Sequence, residues 1–185
     1  MGKVIAGMTM SLDGYINDCN GSLEKLYSDL SELHDVASFQ KTINSTGAVV
    51  MGKHAFEMGD PDSYAVDYEF QVPIFVLTHT PPAKHHKETD TLKFTFVTDG
   101  IETAISQAKK AADNKDIQVI GGASTIQQCL NAGLCDEFHL DIVPVLLGKG
   151  LRLFENIDTD KIKLEKIKIE ETTPSRTSFI FRVIK

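Results

Sequence analysis

Tryptophan is absent, cysteine is scarce, and no apolar run approaches the roughly twenty residues that a membrane-spanning helix needs. Cys19, Cys129 and Cys135 are odd in number, and their spacings match no zinc knuckle; neither CxxC nor clustered histidines accompany them. No disulfide framework and no metal site is therefore expected, and reduced thiols suit a cytoplasmic protein. The opening "MGKVIAGMTMSLDGYIND" lacks a long apolar stretch ending in a cleavage site, which points to the same compartment. Positive charge is also in deficit. Against 26 Asp and Glu there are 19 Lys and Arg, a formal charge of −7, with no basic run and no aromatic-basic interleaving. Neither nucleic acid nor a membrane is an expected partner. A small anion stays admissible, because helix N-termini and a few local cations bind one against an unfavourable net charge.

What is present is an alternation of short apolar runs with amphipathic segments, free of repeats, low-complexity tracts and linkers. The length suits one compact domain over residues 1–185, and the alternation suits a mainly parallel sheet covered by helices. Residues 3–10, 47–52, 72–78 and 93–97 and the stretch "IQVIGG" read as strands. Between the first two, Leu26, Leu30, Leu33 and Ala37 fall at helical spacing, continued by Phe39 and Ile43, which predicts one covering helix. "DGIETAISQAKKAADN" predicts another, capped by Asp99 with Glu102 completing a capping box, and buried through Ile101, Ala104, Ile105 and Ala108. After "IQVIGG", Ile126, Cys129 and Leu130 supply the apolar face of a helix that Gly133 ends.

The C-terminal part differs. In "EFHLDIVPVLLG", Phe138, Leu140 and Ile142 share one side, and His139 and Asp141 the other, where an exposed sheet surface or a subunit interface is the more frequent setting than a catalytic pair. "KIKLEKIKI" and "TSFIFRVI" predict an antiparallel hairpin at a sheet edge, turning at Pro174. The apolar parity of the first of these changes between Leu164 and Ile167, which a β-bulge would restore.

Chemistry is suggested at three joins that follow strands. In "VIGGASTIQQ", Gly121, Gly122, Ala123, Ser124 and Thr125 are small enough to let a phosphate reach the N–H groups at a helix start, although close helix–strand packing explains glycines equally. In "VVMGKHAFE", Gly52 precedes Lys53, His54 and Ala55; the alternatives are a phosphate contact and a solvated Lys-His pair. "VLTHTPP" puts Thr78 and His79 at another strand end, and such ends converge on the ligand crevice of open α/β sheets. Together the three favour an elongated phosphorylated ligand. His85 and His86 lie in a polar loop where exposure is expected.

At these residues the chain resembles a known family. "VMGKHAFE" resembles the dihydrofolate reductase signature MGRxTxE with Lys for Arg, and "VPIFVLTHT" and "VIGGASTIQQCL" are similar to the elements that hold the adenosine and pyrophosphate of NADPH. "MSLDGYI" and "PVLLGKGLRLF" point to the branch containing the reductase domain of the bifunctional riboflavin-biosynthesis enzyme and its stand-alone relatives. The resemblance implies a dihydrofolate-reductase-like α/β/α fold of three layers, a mostly parallel mixed sheet, a homodimer and an NADP(H) site. It implies Lys53, Thr78 and His79 near the adenosine 2′-phosphate, Gly52, His54, Ala55 and residues 121–125 around the pyrophosphate, and Ala6, Gly7 and Ile16 near the nicotinamide. It also implies hydride transfer to a C=N or C=O of a small heterocyclic or carbonyl substrate, a ribosylaminopyrimidine-like compound among the possibilities. Asp13 and Asp35 are the candidates for substrate binding or proton relay; an ordinary Asp-Gly turn and an exposed helical aspartate are their alternative readings. A dihydrofolate reductase with an altered substrate loop and a non-catalytic NADP-binding protein remain as other readings.

Overall fold

In the strands around Gly7, Gln118 and His139, residues alternate between an apolar face and a polar or small one, and this alternation sets the architecture. The structure is a computed structural model describing residues 2–58 and 60–185. In chain order it comprises β1 (Val4–Ser11), a 3-10 turn (Glu24–Leu26), α1 (Leu30–His34), α2 (Ala37–Ser45), β2 (Thr46–Gly52) and α3 (Lys53–Phe56). A second 3-10 turn (Pro61–Ser63), α4 (Tyr64–Asp67), β3 (Ile74–Leu77), β4 (Phe94–Val97), α5 (Ile101–Ala111) and β5 (Asp116–Ile120) follow. The chain ends with α6 (Ala123–Asn131), β6 (Glu137–Val143), β7 (Lys163–Thr173) and β8 (Arg176–Ile184). Among the described residues no helix is long and apolar enough to cross a membrane.

The strands form one sheet in the order β4-β3-β2-β5-β1-β6-β8-β7. Pairings from β4 through β6 are parallel, and β8 and β7 add antiparallel. The hairpin therefore lies at an edge as expected, and its register shifts between Lys166 and Lys168, leaving Ile167 as the bulged residue.

One face is apolar over the central strands. Val4, Ala6, Met10, Val50, Ile117, Val119, Phe138 and Leu140 pack beneath Ile101, Ala104, Ile105 and Ala108 of α5 and Ile126, Cys129 and Leu130 of α6. Gly133, at φ 65°, stands just beyond α6, where a left-handed residue closes a helix. The opposite face is divided. Over β2 and β3 it is apolar, with Val49, Met51, Phe56, Phe70, Ile74, Val76 and Leu92 in a second core. Over β5, β1, β6 and β8 it presents Gln118, Gly7, Thr9, His139, Asp141 and Ser178, too polar or too small to be packed down by an apolar layer.

Three expectations are corrected. The helix expected across Leu26 to Ile43 is broken: Asp35 ends α1, Val36 is extended (ψ 126°), and α2 starts anew. Its stripe is broken with it, since Leu26 and Leu33 are buried whereas Leu30 is 46 % exposed. At α5 the cap position belongs to Gly100 (φ 96°), with no side-chain cap, so Asp99 stands one residue too early to form the box. His86 is not a solvated loop residue; its ring packs against Phe56, Phe94 and Phe96 with Nδ1 3.4 Å from Asp62.

Candidate active site

Parallel pairing brings the C-terminal ends of β3, β2, β5 and β1 to one rim of the sheet, and most of the expected cofactor residues meet there. The Gly52 N–H donates to the Gly121 carbonyl at 3.0 Å, tying the two glycine joins together. A Cβ on Gly52 would stand 2.7 Å from Thr125 Oγ1, and one on Gly121, which sits at φ 55°, would stand 3.2 Å from Ala55 Cβ. These two glycines are therefore required by close approach of α3 and α6. Gly122 differs: a Cβ there would meet nothing within 4 Å. The Gly121–Gly122 peptide is cis. At the start of α6 the Thr125 and Ile126 N–H groups bond the Gly122 carbonyl, and those of Ala123 and Ser124 belong to the first turn, which has no intrahelical acceptor to offer them.

The rest of the cofactor set is more dispersed. The Lys53 side chain, 42 % exposed, lies 3.7 Å from Glu57, and His54 and His79 are exposed. Thr78 is buried, and its hydroxyl is engaged with Thr80. Ala6 and Ile16 lie in the core under α5 and α6, so of the three residues expected beside the nicotinamide only Gly7 borders open space. A Cβ on Gly7 would meet nothing within 4 Å.

That space is a cavity of about 250 Å³ on the divided face. Two cross-strand rows make its floor. Ile120, Gly7, His139 and Ile180 lie abreast in one, and Thr9, Asp141, Ser178 and Glu170 in the other. Tyr27 borders it from the link before α1, Leu30 and Leu33 from α1, Ser38, Phe39 and Thr42 from α2, and Glu69 and Phe70 from the segment before β3. No residue of α2 is fully buried, as befits a helix roofing a space instead of a packed core.

Beside the cavity, on the same face of the sheet, lies a buried ionic cluster. The Arg176 guanidinium is fully buried and grips the Asp29 carboxylate with two bonds of 2.6 and 3.0 Å. It also donates to Thr9 Oγ1 (2.7 Å), the Leu26 carbonyl (2.9 Å) and Asp141 (3.2 Å). Thr173 donates to Asp29, and Ser178 to Asp141. The Asp29 carboxyl is held below its ordinary value by the hydrogen bonds from Arg176, supported by Thr173. Asp141 is thus held in place by Arg176 and Ser178 while bordering the cavity.

Neither aspartate expected to act in catalysis borders this cavity. Asp35 is exposed at the end of α1. Asp13 is a staple: its carboxylate accepts from Ser11 Oγ (2.6 Å) and from the N–H groups of Leu147 and Gly148 (3.1 and 2.7 Å). Those bonds, led by Ser11, lower its carboxyl to about 2, and a group so fully ionised is a poor proton donor. The carboxyls that do border the cavity are Glu69, Asp141 and Glu170. Glu69 is pushed above the usual carboxylate value by burial, with Asp67 adding to the shift and His34 opposing it. His139 and Asp141 face the cavity, not an open surface, because Phe138 and Leu140 occupy the opposite core. Their alternation was visible in the sequence; what covers their face was not.

The RibD C-terminal domain family model matches residues 2–177. The chain belongs to that family. Its structure is similar to that of a putative riboflavin biosynthesis protein from Shewanella sp. PV-4, with a TM-score of 0.76, 26 % identity and 99 % of both chains covered. It is also similar to the diaminohydroxyphosphoribosylaminopyrimidine deaminase/5-amino-6-(5-phosphoribosylamino)uracil reductase of Thermotoga maritima, at TM-score 0.68 and 15 % identity, over 99 % of this chain and 57 % of that one. A dihydrofolate reductase from Enterococcus faecalis, complexed with NADP(H), shares the fold at TM-score 0.59 and 16 % identity, covering 100 % of this chain and 98 % of that chain. The expected dihydrofolate-reductase-like architecture is therefore the observed one: helices on both faces of a mostly parallel mixed sheet closed by an antiparallel hairpin.

Proposed function

We propose that this RibD C-terminal domain family member is an NADP(H)-dependent reductase acting on a C=N or C=O of a small heterocyclic or carbonyl compound. The observation that carries the reading is Gly7, a residue without a side chain in a central strand, between a polar cavity and the rim where the two glycine joins meet. The residues present fit the cofactor. Gly122 and Gly7 leave room that any Cβ would begin to fill, and the Ala123 and Ser124 N–H groups at the start of α6 suit a pyrophosphate. Lys53, with His79 beside it in the family pattern, answers a 2′-phosphate as a point charge. When bound, NADPH supplies the hydride from its nicotinamide C4.

The chain's own residues supply orientation, water exclusion and a proton. Phe39, Leu30 and Leu33 cover the cavity with apolar surface. Glu69, whose burial favours the protonated form, is the proton donor of this reading, in place of Asp13 and Asp35. The Arg176 cluster fixes Asp141, and Asp13 fixes the backbone at 147–148. The chain also forms a homodimer in this reading. Leu164 and Ile169 of β7, 44 % and 50 % exposed, pair in register with Val183 and Phe179 on the apolar face, with the 48 % exposed Phe154 also on the surface.

Fluorescence titration with NADPH tests the cofactor, and absorbance of NADPH with pterins, aminopyrimidines and carbonyl compounds tests turnover. The expected result is saturable binding that Gly7→Val weakens at least tenfold without lowering the melting temperature. Glu69→Gln is expected to cut turnover by about a hundredfold or more and to remove the loss of rate as pH rises. No binding at millimolar NADPH would sink the assignment.

A further inference from the structure

The cavity has a charge pattern that its relatives' names do not suggest. Glu69, Asp141 and Glu170 border it, and Asp29 lies beside it, bonded to Arg176. Two cations answer these four carboxyls: Arg176, between Asp29 and Asp141, and Lys168, whose Nζ is 2.7 Å from Glu170 on the outer strand. Even with Glu69 protonated the balance is negative. Among the described residues that line the cavity there is no lysine or arginine, and His139 is tied at Nε2 to Glu137, 3.0 Å away.

A second observation concerns Gln118. It is 5 % exposed and lines the cavity, and its amide nitrogen is buried with no hydrogen-bond partner. Buried donors are almost always paired, so an unpaired amide on a residue of the cavity wall points to a ligand atom that completes it. The volume, about 250 Å³, is at the small end for small-molecule sites and suits one ring system.

We propose that this cavity binds an uncharged or cationic planar heterocycle, carrying a ring carbonyl and amino substituents, and excludes compounds bearing a phosphate monoester. The Gln118 amide meets the carbonyl, and Asp141 and Glu170 accept from the amino groups. A phosphate dianion would be desolvated beside like charges with no cation on the lining to compensate. The Thermotoga enzyme's name specifies a phosphoribosylamino compound; this chain's substrate belongs to the unphosphorylated class. The use of the site in reduction rests on the proposed function, whereas its charge preference is read from binding alone.

The test is calorimetry, with and without saturating NADPH, on matched pairs: 5-amino-6-ribosylaminouracil and cytidine, each against its 5′-phosphate. The unphosphorylated member is expected to bind at least tenfold more tightly. Equal or tighter binding of the phosphate in a pair, or no binding by any member, overturns the proposal. Gln118→Met provides a second measurement. Removing an unpaired buried amide should leave the melting temperature unchanged or raised while weakening the unphosphorylated ligand about tenfold; a lowered melting temperature with unchanged affinity overturns the assigned contact. If the reductase reading fails, NADPH is neither bound nor oxidised, and the phosphate preference still appears in the heats of binding.

Discussion

Arg176 shows how far a single side chain can reach in this molecule. It lies at the turn of the C-terminal hairpin, yet its partners are Thr9, Leu26, Asp29 and Asp141. Removing it strands the buried Asp29 carboxylate, and Arg176→Ala is expected to cost about 3–5 kcal/mol in urea unfolding, with Arg176→Met plus Asp29→Leu recovering most of the loss. A cost under about 1 kcal/mol would mean that solvent reaches Asp29. Asp13 makes the matching case at a half-buried position. Its carboxyl is lowered from 3.8 to about 2 in the folded chain, so its stabilisation is complete above pH 3.8 and disappears as pH falls through about 2. The Leu147 and Gly148 amide proton resonances should move together with that lower midpoint; a midpoint near 3.8 would refute the staple. Neither arrangement was legible in the sequence. Thr9, Asp29, Asp141 and Arg176 are brought together only by the sheet order and the hairpin, and no local spacing encodes that meeting.

At the scale of elements, what could be read was what periodicity controls. The α5 stripe, the α6 face, the edge hairpin and its bulge follow from residue type at fixed intervals, and all are observed. The break between α1 and α2 escaped because the apolar period continues through Asp35 and Val36 while the backbone does not. The GG and MGKHAF joins were visible as glycine after strand, and parallel pairing then placed them in contact. Glu69 gave no signal, since a lone carboxylate before a strand has no period or motif. The lightly buried α2 leads to a kinetic expectation. Its amides should exchange with deuterium faster than those of α5 and slow when ligand fills the space below. Equal protection of the two helices in the free protein would contradict the view of α2 as a roof.

For the whole molecule, the exposed Leu164 and Ile169 of the hairpin predict that sedimentation finds a species near twice the 20.4 kDa chain mass, and that Ile169→Glu shifts it towards one chain. Sedimentation at a single chain mass in the unaltered protein would refute the dimer. The placement of β1 has a different consequence. It precedes every other strand of this sheet, yet its partners are residues 116–120 on one side and 137–143 on the other. A nascent chain thus carries an apolar strand with both edges open through most of its translation, and such edges are templates for aggregation. The layout that places Gly7 at the heart of the sheet makes the cavity one of the last features to form on the ribosome.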